Sequence, residues 1–158
     1  MKKPKILVVE DEIIIAHDLQ IMLRNLGYSV PYTASSGEEA IKIAQDIKPD
    51  LTIMDIKLSG EIDGIEASKK FNDGFDIPVI FLTAYIDSQT LERAKETEPL
   101  GYLTKPINGR ELSTIIKKVL SINSNRMKNG FIDVNKKINE STIKNQICEI
   151  RNRWNCYY

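Results

Sequence analysis

Short apolar runs alternate with amphipathic stretches five times in the first 120 residues. No other feature of the chain restricts its fold as strongly. Ile6–Val9 contains no polar residue, so as a strand it has to be covered on both faces. Residues 51–54 and 78–82 repeat the pattern, with Pro78 at the entry of the latter. Residues 29–33 and 101–103 read as two further short strands. Between the strands the apolar spacing becomes helical. In residues 13–26, Ile15, Leu19, Met22, Leu23 and Leu26 form one stripe, closed by Gly27. Ser36-Gly-Glu-Glu39 has the form of a capping box, and the helix behind it carries Ala40, Ile41, Ala44 and Ile47 before Pro49 ends it. A third helix begins over residues 64–71, and a more polar one covers 88–97. Asn108 and Glu111 cap a last helix, with Leu112, Ile115, Ile116, Val119 and Leu120 facing inward.

Strands that are apolar throughout imply a parallel sheet buried between helical layers, and right-handed crossovers wind it both ways. The expected fold class is therefore α/β: a flavodoxin-like, doubly wound, parallel five-stranded sheet in a three-layer α/β/α sandwich. Strand order 2-1-3-4-5 is expected, although alternation alone leaves the order open. A length of 158 residues suits one domain with an appendage. The composition shifts near residue 120. Residues 1–120 carry 15 basic and 19 acidic residues, whereas 121–158 carry 7 basic and 3 acidic and are rich in asparagine. The expected division is a domain over 1–120 and a basic tail over 121–158, with one amphipathic helix from about 140 to 154 or the start of a truncated further region.

Lysine plus arginine and aspartate plus glutamate each total 22, so no global charge points to a nucleic-acid or membrane surface. No apolar run reaches the length of a membrane span, and the early run is cut short by acids too soon for a signal peptide. Cys148 and Cys156 form no metal or redox spacing. A reduced, cytoplasmic chain is expected.

In doubly wound sheets the site lies at the carboxyl ends of the strands, near the reversal of strand order. The first strand ends at Glu10 and Asp11, the third at Asp55, and the fourth at Thr83; the fifth leads to Lys105 and Pro106. Each residue alone has an ordinary reading. Glu10 and Asp11 could serve the start of the next helix, Thr83 could be a strand residue, Lys105 a solvated lysine, and His17 a residue of the helix surface. Together they place three carboxylates, a hydroxyl and an ammonium at one mouth. Three convergent carboxylates need a cation, and an all-oxygen set without histidine or cysteine favours Mg²⁺. Asp55 could then act as a nucleophile towards phosphorus, with Lys105 and Thr83 meeting the transferred group.

The segments ILVVEDE, MDI at Asp55, Asp63-Gly64, VIFLTA at Thr83 and GYLTKP at Lys105 closely resemble the receiver domain of two-component response regulators (CheY-like) over roughly residues 4–120. The resemblance implies that Asp55 is the phosphoacceptor, fed by a histidine kinase or phosphotransfer protein. It implies a Mg²⁺ site of Glu10, Asp11, Asp55 and the backbone carbonyl of Lys57. Thr83 and Tyr102 become the switch pair, Lys105 the partner of the phosphoryl group, and the bond before Pro106 cis. The output face would be the fourth helix, fifth strand and fifth helix, which contacts a downstream protein effector and is also a candidate homodimer surface. One departure is the loop DIKLSGEIDG, one residue longer than the commoner pattern, with Gly60 expected to absorb the extra residue in a turn.

The expected function is a phosphorylation-activated signalling module, not an enzyme beyond slow self-dephosphorylation, that signals by protein contact. Two alternatives belong to other classes. One is a transcriptional regulator acting through the basic tail, although no DNA-binding signature is present. The other is a Mg²⁺-dependent phosphoryl-transfer enzyme on the same fold.

Overall fold

The computed structural model describes residues 2–84 and 87–129. The helix expected near 140–154 therefore lies outside the described residues. The elements run β1 (Ile6–Val9), α1 (Ile13–Asn25), β2 (Thr33–Ala34), α2 (Gly37–Ile47), β3 (Leu51–Asp55), α3 (Gly64–Gly74), β4 (Val79–Thr83), α4 (Ser88–Glu96), β5 (Gly101–Thr104) and α5 (Gly109–Asn129). All strand pairs are parallel, and the sheet order is β2-β1-β3-β4-β5, as expected.

Strand alternation divides the core in two. Leu7, Val9, Met54 and Phe81 point to one face, where Ala40 and Ala44 of α2, Ile65 and Phe71 of α3, and Leu91 and Ala94 of α4 cover them. Ile6, Val8, Ile53, Ile80 and Leu82 point to the other, under Leu19 and Leu23 of α1 and Leu112, Ile116 and Val119 of α5. Both faces are dry, which explains the unbroken apolar runs.

The helix boundaries follow local chemistry. Ser36 accepts a hydrogen bond from the Glu39 amide and starts α2. Asp63 and Glu66 form a full capping box at α3, a device the residue pattern did not single out. The Asn108 side chain accepts from the Arg110 amide at 2.8 Å at the start of α5. Gly27, at φ +95°, closes α1.

Two expectations shift. The second strand is only Thr33–Ala34, while Ser29 makes an isolated bridge to Lys5. Pro31 stands between them without an amide hydrogen, so the ladder cannot run continuously from 29 to 33. In α1, Leu19 and Leu23 are buried with Ala16, and Ile15 and Met22 pack partly buried beside them, but Leu26 is exposed. Helix α5 continues without a break past Leu120 to Asn129. His17 lies on the helix surface, as expected.

Phe71 is fully buried and meets Phe75 edge to face at 5.9 Å. Truncating it, Phe71→Ala, should cost about 3–5 kcal/mol in urea denaturation. Ile13→Ala, at a site 83% exposed, should change stability by less than about 0.5 kcal/mol.

Candidate acidic site at the strand ends

Register brings the expected residues together. Val9 pairs with Met54, so Glu10 and Asp55 leave the sheet side by side. Asp55 pairs with Leu82, one residue before Thr83, and Thr83 pairs with Thr104, one before Lys105. The Lys105 amide donates to the Thr83 carbonyl at 2.9 Å, and the Lys105–Pro106 bond is cis.

Glu10, Asp11 and Asp55 each offer a carboxylate oxygen, and these oxygens lie within 4.8 Å of one another. Lys105 Nζ sits between two of them, 2.7 Å from Glu10 Oε2 and 2.9 Å from Asp55 Oδ2. The Asp55 Oδ1 atom accepts from the Lys57 amide at 3.2 Å. Asp11 Oδ2 accepts from both the amide and the hydroxyl of Ser59, at 3.1 and 2.6 Å. Glu12, the third acid of the opening run, stands apart. It is the N-cap residue of α1, its side chain is exposed, and it approaches Lys105 only to 3.7 Å.

Burial sets the electrostatics. The Glu10 side chain is wholly enclosed, and desolvation pushes its pKa up to about 7 against the opposing pull of Lys105 and the Glu12 amide. Burial by itself would depress Lys105, but hydrogen bonds and charge from Glu10 and Asp55 outweigh it, and its pKa is raised. The hydrogen bond from Ser59 is the main cause holding Asp11 below the usual carboxylate range. With all three carboxylates ionised, the single ammonium would leave an excess of two negative charges. An all-oxygen set with that excess fits a hard divalent cation.

Behind the site, Gly64 has no room for a side chain. A Cβ there would lie 2.0 Å from the Asp55 carbonyl oxygen, while the Gly64 amide donates to the Ile56 carbonyl at 2.9 Å. The start of α3 is thus pressed against the backbone of Asp55. Thr83 is buried at the end of β4. Tyr102 is buried too, its ring tilted against Phe81 at 5.9 Å, and its hydroxyl has no hydrogen-bond partner among the described residues. Burial raises its pKa above the usual phenol range.

Residue patterns missed Ser59 and Glu38. Glu38 Oε1 accepts from the amides of Glu61 and Ile62 at 2.9 and 3.1 Å, fastening the β3–α3 loop to α2. The unusual length of that loop was the one available signal.

Comparison with known proteins agrees with this geometry. The response regulator receiver domain matches residues 6–117. The chain is 37% identical over 117 residues to the transcriptional regulatory protein PdtaR of Mycobacterium tuberculosis, covering 74% of this chain and 57% of the relative. It is 40% identical over 117 residues to the alkaline phosphatase synthesis transcriptional regulatory protein PhoP of Bacillus subtilis, covering 73% and 48%. The chain thus spans about half the length of the curated relatives it matches. Among solved structures, the signal receiver domain of a modulated diguanylate cyclase from Desulfovibrio desulfuricans G20 superposes with a TM-score of 0.76 at 37% identity, over 79% of this chain and 99% of that one.

Two outcomes follow for the metal-free protein. Glu10 has a raised folded pKa, so its contribution to stability is complete below its ordinary value near 4.5 and is lost as pH rises through about 7. Lys105 titrates above its ordinary value of 10.5 and Asp11 below 3.8, so neither enters that window. In urea titrations with chelator present, stability should fall between about pH 4.5 and 7, and Glu10→Gln should flatten the slope. Gly64→Ala should cost about 2–4 kcal/mol in the same assay, because backbone rather than a movable side chain obstructs the new methyl.

Proposed function

The chain belongs to the response regulator receiver domain family, and on that premise we propose that it accepts a phosphoryl group on Asp55 and signals through the change of shape that follows. The observation that carries this reading is the position of Lys105 Nζ between Glu10 and Asp55, with Asp11 completing the carboxylate cluster. The donor is a histidine kinase or phosphotransfer protein. An Asp55 oxygen forms the bond to phosphorus as the phosphorus–nitrogen bond of the phosphohistidine breaks, and the imidazole leaves with the electron pair.

Glu10, Asp11, Asp55 and the Lys57 carbonyl would hold Mg²⁺, which when bound offsets charge on the phosphoryl oxygens. Lys105 already points its ammonium at Asp55 and needs no large movement to meet the new charge. Addition of about −1.5 to −2 charges, on the scale of other phosphorylated side chains, gives Thr83 a new acceptor for its hydroxyl. Tyr102 is the packed residue next to that change, and the face of α4, β5 and α5 carries the result to a downstream protein effector or a second copy. Phosphate acts by shifting the populations of two arrangements. In this reading residues 1–120 are the receiver and 121–158 an accessory tail. The chain works as a cytoplasmic signalling module with only slow self-dephosphorylation. Among the described residues no helix is long and apolar enough to cross a membrane.

A transcriptional output is the second reading, supported by relatives that are transcriptional regulatory proteins and by the basic balance of residues 121–158. DNA retardation that depends on those residues would favour it.

Intact-mass measurement after incubation with acetyl phosphate tests the main reading. One phosphoryl group should be added with Mg²⁺ present. The adduct should be missing without Mg²⁺ and in Asp55→Asn. Repeated turnover of excess phosphorylated substrate would instead indicate a phosphoryl-transfer enzyme. An adduct that persists in Asp55→Asn would place the acceptor elsewhere.

A further inference from the structure

We propose that the lengthened β3–α3 loop is a brace for the metal site, with Ser59 as the positioning residue that fixes Asp11. The inference rests on the Mg²⁺ reading above and goes beyond it, since Ser59 is not itself one of the proposed ligands.

Ser59 lies 48 residues from Asp11 in sequence, yet both its amide and its hydroxyl donate to the same carboxylate oxygen, Oδ2. An ionised carboxylate has about four lone-pair sites. Two donors on Oδ2 restrict the turning of the group. Neighbours that hydrogen-bond a ligand in this manner orient it and raise its affinity for metal.

Ser59 can do this only if its own backbone is fixed. On its N-terminal side, where the chain leaves β3, the Lys57 amide donates a hydrogen bond to Asp55 Oδ1. On its C-terminal side Gly60 turns at φ +117°, packed so closely on α2 that a Cβ would lie 2.9 Å from Glu38 Oε2. The Glu61 and Ile62 amides then donate to Glu38 Oε1. The Ile62 side chain lies on Gly37, where a Cβ would come within 2.7 Å of it. Asp63 finally enters the α3 capping box. The extra residue of the loop is therefore held in place from both sides and delivers a serine to a ligand. Glu38, in the first turn of α2, is the anchor that makes this possible.

The test uses the full chain and Mn²⁺ as the probe, followed by the loss of the free-ion signal in electron paramagnetic resonance, with Mg²⁺ as competitor. Asp11→Asn marks the part of the binding that belongs to this site. Ser59→Ala should weaken both ions about tenfold, Ser59→Thr should restore wild-type binding because it keeps the hydroxyl, and Glu38→Ala should weaken binding without touching a ligand. Urea midpoints of the metal-free variants separate the roles: a merely structural serine would lower the midpoint and leave ion affinity unchanged. Wild-type affinity in Ser59→Ala would overturn the brace. Tighter binding would also overturn it, by showing that Ser59 competes with the cation for Asp11. Absence of saturable Mn²⁺ and Mg²⁺ binding in the wild type would overturn the metal reading, and the brace with it.

Discussion

The ion pairs of Lys105 with Glu10 and Asp55 are the contacts on which the rest of the site depends. Carboxylates collected at the end of a dry sheet repel one another and lose their hydration, and without a positive partner they would disorder the strand ends that carry them. Lys105 reaches two of them from a strand two places away from β3 in the chain and at the edge of the sheet. That single ammonium does not balance three carboxylates. The residual negative charge suits a divalent cation, and burial, which pushes the Glu10 pKa up, lets a proton relieve part of the same charge. A proton on Glu10 and a divalent cation would each relieve that local excess of negative charge.

Such a site works only if its charges cannot relax away from one another, and the surrounding structure supplies that rigidity. Both faces of the sheet are covered by apolar helical layers, so the strand ends have little freedom to splay. Gly64 lets the start of α3 rest directly on the backbone of Asp55. The β3–α3 loop is fastened to α2 by Glu38 and to β1 by the Ser59–Asp11 contact. Preorganised donors and charges of this kind avoid reorganisation when a charged group arrives. The Tyr102 hydroxyl is buried without a hydrogen-bond partner among the described residues, as are those of Thr52 and Ser68. Each such group costs free energy that its neighbours must offset.

The sequence was a good guide to elements and to the ends of strands, and a poor guide to loops and edges. Each central strand was legible because an unbroken apolar run has few solutions once both sheet faces are dry. Glu10, Asp11, Asp55, Thr83 and Lys105 were legible because they follow such runs directly. The second strand was overextended because apolar alternation across 29–33 says nothing of the missing amide at Pro31. Glu12, which was outside the expected set, turns outward as the N-cap residue of the first helix. Ser59 and Glu38 gave no signal of their own: a serine in a polar loop and a glutamate in a first helical turn are ordinary residues in ordinary places.

By itself, then, the sequence determined that the chain forms five β-α units, that the sheet is parallel and buried, and that acids, a threonine and a lysine stand at consecutive strand ends. These are statements about periodicity and local order, which a linear chain carries within each segment. Only the tertiary structure decided which of those groups touch. Strand register set Glu10 level with Asp55 and brought Lys105 between them across some fifty residues or more of chain. Loop closure brought Ser59 to Asp11 across 48. Contacts at such separation depend on the pairing of whole elements, so no single segment contains the information that specifies them.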